Sequence, residues 1–400
     1  MSRERRRTRQ RTSTRPSRAG ERHEVVADAI AHGGHVVARL PAVGQVEPVS
    51  SRERSGRVEM TGVVVFVRHA LPGERVVVEI TEGREGDRFL RGDAVEVLEA
   101  SAHRVPAPCP YAGPGACGGC DFQHVVPAHQ RDLKTAVVRE QLSRLAGLEV
   151  DVEVESVEPV LGWRSRMQYV DLPGGARGLR RHRSHEVVVV DHCLIDAHPA
   201  VELVDTPVHE RVHDKTFTVD PTGFWQPHVS APEVLVDALL EALRPQPGES
   251  VVDLYSGVGL FAAFLADVVG PDAEVKAVEG DPRAAAHAAD NLGRETVAAD
   301  VQEWLESGQA PDHSDLVVLD PPRTGAKRRV VEGIVRLSPR AVGYVACDPA
   351  ALARDVAIFA EHGYALAGLR AFDLFPMTAH VECVAHLVKS DTHLRRSDSR

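Results

Sequence analysis

Two stretches near the end of this 400-residue chain carry side chains able to do covalent chemistry. The apolar run Val-Gly-Tyr-Val-Ala ends in Cys347, followed by Asp348 and Pro349, so the thiol stands where a strand stops and a Pro-started helix begins. A helix N-terminus lowers a thiol pKa, and the thiolate is the nucleophile. A lone cysteine in an apolar strand is also an ordinary core residue, and both readings stand on this evidence. In Pro376-Met-Thr-Ala-His380-Val-Glu382-Cys383, His380 and Glu382 alternate onto one strand face and can point toward one site. Asp320-Pro-Pro-Arg-Thr-Gly325 follows the apolar strand DLVVL, which makes either a stiff substrate-side loop or a plain turn. Four more thiols, Cys109, Cys117, Cys120 and Cys193, are spaced as three plus one. Four thiolates suit zinc or an iron–sulfur cluster, although zinc usually takes two close pairs; three buried free thiols and a stray one are the structural alternative. Cys383 reads as core.

A further stretch is built for a ligand. Asp253-Leu-Tyr-Ser-Gly257-Val-Gly259-Leu-Phe-Ala262 follows a strand and opens a helix, and its glycines let the backbone approach a group that a Cβ would block. Glu279 ends the next strand, where a carboxylate can accept both hydroxyls of a ribose. Asp300 ends the region ETVAAD and suits an adenine amine, or equally an N-cap. Taken alone, this pattern also fits NAD.

The elements that must position these groups change rhythm along the chain. After about residue 230, strands alternate with helices (VVDLY, FAAFLADVV, VKAVEG, DLVVLDPP, AVGYVACDP), which predicts a doubly wound, largely parallel α/β sheet with its ligands at the strand C-termini. Residues 23–100 alternate and break at Gly-Gly and Pro-Gly, predicting a small antiparallel β-barrel with a polar loop at 42–58. Residues 101–229 form a β-rich central domain: a Cys-rich irregular stretch, a helix over 131–147, then strands from Trp163 to Val190 carrying Arg164, Arg166, Arg177, Arg180, Arg181 and Arg183. Those arginines are candidate phosphate contacts or a solvated strand face; Trp163 and Trp225 are candidates to stack on bases or to sit in the core. The predicted organisation is a basic disordered arm (1–22), barrel (23–100), central domain (101–229), α/β domain (230–390) and tail (391–400).

Net charge is −11, yet nine arginines against Glu4 and Glu21 give the first 22 residues +7, leaving −18 on the rest. An apolar fraction of 43% and a charged fraction of 26% exclude a disordered chain or a fibre. MSRERRRTRQ has no apolar region behind it, no stretch approaches a membrane span, and six cysteines are too few for a disulfide framework. We expect a cytoplasmic protein.

DLYSGVGLF, DPPRTGA, YVACDPAALARDV and DLFPMTAHVECV, in this order and spacing, resemble the motifs of the RNA uracil-5-methyltransferases that use S-adenosylmethionine (SAM). HGGHVVARL and VVFVRHALPGERV resemble a TRAM domain, and the resemblance runs over roughly residues 23–388. It implies a Rossmann-like SAM domain behind a TRAM barrel. Cys347 matches the nucleophile that adds to uracil C6, and Glu382 the base that removes the C5 proton. Gln226, Tyr255, Glu279, Asp300 and Asp320 match the cofactor pocket, with Asp320 also beside the target base. Because the branch with CGGC carries a [4Fe-4S] cluster, the resemblance implies that Cys109, Cys117, Cys120 and Cys193 hold one, with zinc as the alternative. Departures are Ser256, where the family often has Cys, and Asp348, where it often has Asn; a carboxylate beside the nucleophile opposes thiolate formation, so Asp348 should point away. Leu260 stands where some relatives have a polar cofactor contact.

The implied partner is RNA, with 23S ribosomal RNA favoured over transfer RNA, no membrane and a monomeric state. The target uridine must be flipped out of its stack to reach Cys347. A NAD-dependent oxidoreductase leaves DPPR, Cys347 and the arginines unused; a non-catalytic RNA-binding iron–sulfur protein on the same fold predicts a missing nucleophile or base. A cytosine-C5 enzyme of the common type would carry a Pro-Cys nucleophile motif in a different loop of the α/β domain, where none occurs; Pro108-Cys109 lies in the Cys-rich stretch instead.

Overall fold

The computed structural model describes residues 15–40, 62–198 and 207–390. Its contacts divide the chain into two compact units, Met1–Arg104 and Val105–Arg400. Most of the basic arm (1–14), the polar loop at 42–58 and the tail (391–400) lie outside the described residues.

The first unit is a single sheet of β1 (Arg22–Val26), β2 (Ile30–Ala31), β3 (His35–Leu40), β4 (Val63–Arg68), β5 (Arg75–Glu82) and β6 (Phe89–Glu99), in the order β1-β5-β6-β4-β3-β2. Period-2 alternation turns Val36, Ala38, Val65, Val67, Val76, Val78 and Ile80 into one core. The sheet is not wholly antiparallel as expected: β4 and β6 are parallel, because the chain reverses into β5 and again out of it before β6 lies beside β4. Residues 15–22, expected as part of the disordered arm, are held to this sheet: the Arg18 and Gly20 amides donate to Gly83 and Ile80 carbonyls, and Arg15 pairs with Asp87 at 2.6 Å.

The second unit begins with α1 (Pro127–Ala146), β7 (Val154–Ser156), a three-stranded sheet of β8 (Val170–Asp171), β9 (Arg177–Arg180) and β10 (Val187–Val189), and the hairpin β11 (Val208–Val212) and β12 (Lys215–Val219). It continues through α2 (Ala231–Leu243), β13 (Val251–Leu254), α3 (Leu260–Val269), β14 (Val275–Glu279), α4 (Pro282–Leu292), β15 (Val297–Ala298), α5 (Val301–Glu306), β16 (Leu316–Leu319) and α6 (Lys327–Arg336). The last elements are β17 (Ala341–Ala346), α7 (Pro349–Glu361), β18 (Tyr364–Asp373) and β19 (Glu382–Lys389). Eight strands make one sheet, β15-β14-β13-β16-β17-β19-β18-β7, parallel from β15 to β17 and antiparallel where β19 joins β17 and β18. Helices cover both faces, so successive strand residues enter opposite cores: Val251 packs with Leu235, Leu239 and Phe261, while Val252 and Leu254 pack with Ile334, Leu352 and Phe359. That two-sided burial is why these strands read as unbroken apolar runs.

One open reading is narrowed here and one expectation changes. Trp163 and Trp225 are core residues, 0% and 7% exposed, with Trp163 stacked on His228 at 5.8 Å. The stretch from Trp163 to Tyr169 is not a strand; Arg164 only bridges Asp196 and His228. No helix among the described residues is long and apolar enough to cross a membrane.

Candidate active site and cysteine cavity

The C-terminal ends of the central parallel strands bring most of the selected residues together. Leu254, Val278 and Leu319 are register partners in β13, β14 and β16, and Leu319 pairs with Tyr344 of β17. The residues just beyond, Tyr255, Glu279, Asp320 and Cys347, therefore emerge at one edge of the sheet and line one cavity of ≈ 610 Å³, joined by Gln226 and Glu382. Asp300 is not among the lining residues; its carboxylate caps α5 by accepting from the Glu303 amide at 3.0 Å.

At the first of these turns Gly257 has φ +54° and a Cβ there would meet nothing within 4 Å, leaving bare backbone toward the cavity. Gly259 is fixed for another reason: at φ +85° its Cβ would come within 2.9 Å of Leu292. Glu279 steadies the turn, accepting from the amides of Gly257 (2.9 Å) and Asp281 (2.7 Å).

The β17–β19 ladder ends at the pair Ala346–Cys383, so Cys347 and Glu382 leave neighbouring strands side by side. Glu382 is 3% exposed and its Oε1 makes no hydrogen bond. Asp320 accepts from Gln226 Nε2 at 3.0 Å. Burial raises both carboxyls well above the usual range, and the charge of Asp320 raises Glu382 further, while the Arg323 guanidinium opposes it. Cys347 is pushed up to about 12, first by burial and then by Glu382 and Asp320, again against Arg323. This reverses the expectation of a depressed thiol pKa: desolvation and two facing carboxyls outweigh the helix N-terminus. Asp348 caps α7, accepting from the Ala351 amide at 2.8 Å, so it points along the helix.

Arg323, to which the DPPR motif alone gives no role, lines the cavity and lies 3.3 Å from His380 Nε2. His380 precedes β19, and burial with the nearby Arg323 charge lowers it to about 4, so it is neutral. The signal that points to Arg323 in the sequence is the loop's stiffness: two prolines that aim Asp320 also aim the next side chain.

A second cavity, of ≈ 300 Å³, is lined by Cys109, Cys117, Cys120 and Cys193 together with Arg164, Arg180 and Arg181. Gly118 permits it, since a Cβ there would lie 2.4 Å from the His182 amide nitrogen. All four cysteines are free thiols. Burial raises Cys117 and Cys193 and pushes Cys120 up to about 12; Cys109 adds to the rise of Cys117, Cys117 and Cys109 to that of Cys193, and all three neighbours to that of Cys120. Among the described residues no group of three or more His, Cys, Asp or Glu side chains is set to hold a metal ion. The arginines divide: Arg166 is a clamp, donating to the carbonyls of Asp220 and Gly223, and Arg177 lies over the Tyr169 ring at 4.2 Å, whereas Arg180, Arg181 and Arg183 are exposed.

Comparison with known proteins agrees with this architecture. Family models match a TRAM domain at residues 16–95, a methyltransferase small domain at 233–342 and a tRNA (Uracil-5-)-methyltransferase at 312–390. An uncharacterized RNA methyltransferase of Streptomyces coelicolor is 42% identical over 93% of both chains. A 23S rRNA (uracil(1939)-C(5))-methyltransferase, RlmD, of Shewanella sp. (strain ANA-3) is 28% identical over 83% of this chain and 92% of its own. The tRNA (uracil-54, C5)-methyltransferase of Pyrococcus abyssi, solved with S-adenosyl-L-homocysteine, shares the fold with a TM-score of 0.65 over 92% of this chain and all of its own, at 21% identity. Strand ends that gather a thiol, three carboxyls and a bare glycine turn, in a chain that also carries a TRAM domain, thus come with relatives to match: the chain is a SAM-dependent RNA methyltransferase and belongs to the RNA uracil-5-methyltransferase family.

Proposed function

We propose that the protein methylates C5 of a uridine in ribosomal RNA, of the 23S class, through a temporary bond between Cys347 and C6 of the base. One observation carries this reading: Cys347 and Glu382 leave paired strands next to each other and face the same cavity as Asp320 and Gln226. Uracil C5 is too electron-poor to attack an alkyl group unaided. The Cys347 thiolate adds to C6 and places the electron pair on the C5–C4–O4 enolate; C5 then accepts the methyl group. Glu382 takes the C5 proton, and the C6–S bond breaks with its electrons returning to Cys347. Bound SAM supplies the methyl group and a sulfonium charge. Gln226, Tyr255 and Glu279 are the residues to hold it, with Glu279 at the ribose and the bare Gly257 backbone beside the chain. Asp320 accepts from the uracil N–H. Asp300, which the resemblance matches to the cofactor pocket, caps α5 and does not line this cavity, so we assign it no cofactor contact.

Both groups must lose protons before they act, and burial with mutual repulsion holds those protons on. Arg323, one of the arginines lining the cavity, opposes this, and a sulfonium charge acts in the same sense. The four thiols line one cavity, and four thiolates suit a [4Fe-4S] cluster or zinc; the cluster is the reading we adopt, because the three-plus-one spacing lacks the two close pairs zinc usually takes. Held by Cys109, Cys117, Cys120 and Cys193, it would tie the 109–120 loop to the segment before Ile195. Exposed Arg180, Arg181 and Arg183 at the rim are the proposed phosphate contacts.

The substrate is tested by methyl transfer from labelled SAM to total RNA of a strain lacking this gene, with the modified nucleotide mapped. The reading expects 5-methyluridine in 23S ribosomal RNA; label in transfer RNA alone would move the assignment to that substrate.

A further inference from the structure

The loop that carries the proposed base is held from outside, by the segment that follows the cysteines. Between β18 and β19 the chain passes through Met377, which sits at φ +67° with its side chain 5% exposed. A non-glycine residue in the left-handed region persists only where its surroundings fix it. Inside the loop, Thr378 closes a turn onto the Phe375 carbonyl. The other restraints come from residues 121–134. The amides of Asp121 and Phe122 both donate to the Met377 carbonyl at 2.9 Å. Gln130, 0% exposed, accepts from the Met377 amide at 2.9 Å and donates through Nε2 to Met377 Sδ and to the carbonyls of Phe122 and Val125. The Asp121 carboxylate accepts from the Ala379 amide at 3.2 Å, and Lys134 donates to the Phe375 carbonyl at 3.0 Å.

This segment touches both sites. Asp121 directly follows Cys120, whose sulfur accepts from Gln123 at 3.4 Å. Three residues beyond Ala379 stands Glu382, whose Oε1 is buried with no hydrogen bond to aim it. A carboxyl without such a bond is aimed by its backbone. Neither Asp121 nor Gln130 lines the cofactor cavity.

We propose that Asp121 and Gln130 are positioning residues for the proton-abstraction step: by clamping Met377–Ala379 they set where Glu382 points and couple order in the cysteine loop to the base. The inference rests on Glu382 being the base. It is tested in the full-length holoenzyme with an RNA fragment that accepts methyl groups, using Glu382→Gln as reference. Asp121→Ala and Gln130→Ala should lower kcat about 10- to 100-fold, the loss a displaced catalytic group brings, with KM falling alongside because bound intermediate accumulates after methyl transfer. Covalent enzyme–RNA adduct should accumulate on ordinary uridine RNA, as in Glu382→Gln, because the bond to Cys347 forms but elimination stalls. Asp121→Asn keeps an oxygen for the Ala379 amide and should restore turnover. Independently of catalysis, amide exchange over 375–381 should quicken in Gln130→Ala while that over 251–279 does not change. Parent-like turnover, a parallel fall in adduct formation, or unchanged exchange would overturn the clamp. A Glu382→Gln enzyme that releases product at the parent rate would instead overturn the base assignment.

Discussion

At the scale of single residues the central tension is a nucleophile placed where it resists ionisation. Cys347 is pushed up to about 12 by burial, then by Glu382 and Asp320, and Arg323 pulls the other way. Removing that cation raises the thiol and Glu382 further, since both charged forms lose a favourable neighbour. Arg323→Gln should therefore move the rising limb of the pH–rate profile to higher pH, costing about tenfold at neutral pH for each unit moved. Asp348→Asn should move the limb the opposite way, because the Asp348 charge also raises Cys347, and Asn caps a helix as well as Asp does. Single-turnover rates between pH 6 and pH 10 check both signs; limbs that stay in place would contradict the assigned roles. That Cys347 and Asp320 end strands and that Glu382 lies on one was legible in the sequence, but the place of Arg323 and the direction of the thiol's shift were not. Helix position is local, whereas desolvation comes from side chains far away in sequence.

At the scale of elements, the loops at the strand ends are fastened by side chains from other elements. Asp355 on α7 accepts from the Tyr344 hydroxyl (2.7 Å) and the amides of Ala326 (2.7 Å) and Lys327 (3.1 Å), pinning the end of the Asp320–Ala326 loop. Gly325 is required there, since at φ +79° a Cβ would lie 2.5 Å from Asp355 Oδ2. Asp355→Ala strands these donors and should cost about 1–3 kcal/mol for the buried groups left unpaired, read as a lower denaturant midpoint; an unmoved midpoint would contradict the pin. The strand–helix alternation after residue 230 was readable because periods of 2 and 3.6 are distinct along it. The edge strand β7 was not: three residues pair with β18 more than 200 positions on, and the Glu155–Arg370 ion pair beside them spans 215. The run from Trp163 mimics a strand because its alternation reflects Trp163 entering the core and Arg166 turning to clamp carbonyls.

At the scale of the whole molecule, charge is segregated: the first 22 residues carry +7 against −18 elsewhere. A polyanionic substrate then has to meet cations gathered locally, and Arg180, Arg181 and Arg183 are exposed beside the cysteine cavity. Replacing all three by Ser should weaken RNA binding and flatten the dependence of log K on log salt by roughly 0.7–0.9 for each phosphate no longer neutralised, with SAM affinity unchanged. A salt slope equal to the parent's would remove these arginines from the interface. The sequence reading separates residues 101–229 from 230–390, whereas contacts gather Val105–Arg400 into one unit; the ordered hold on residues 15–22 was not legible either, because it depends on carbonyls of β5 and the turn after it.

The bond between Cys347 and the pyrimidine ring decides the mechanism, and intact mass measurement of the enzyme mixed with SAM and 5-fluorouridine-containing RNA reads it out. Fluorine at C5 cannot leave as a proton, so a stable adduct should form that carries the transferred methyl group and maps to Cys347, and Cys347→Ala should form none. Parent protein that methylates ordinary RNA yet yields no adduct, or Cys347→Ala that still turns over, would contradict it.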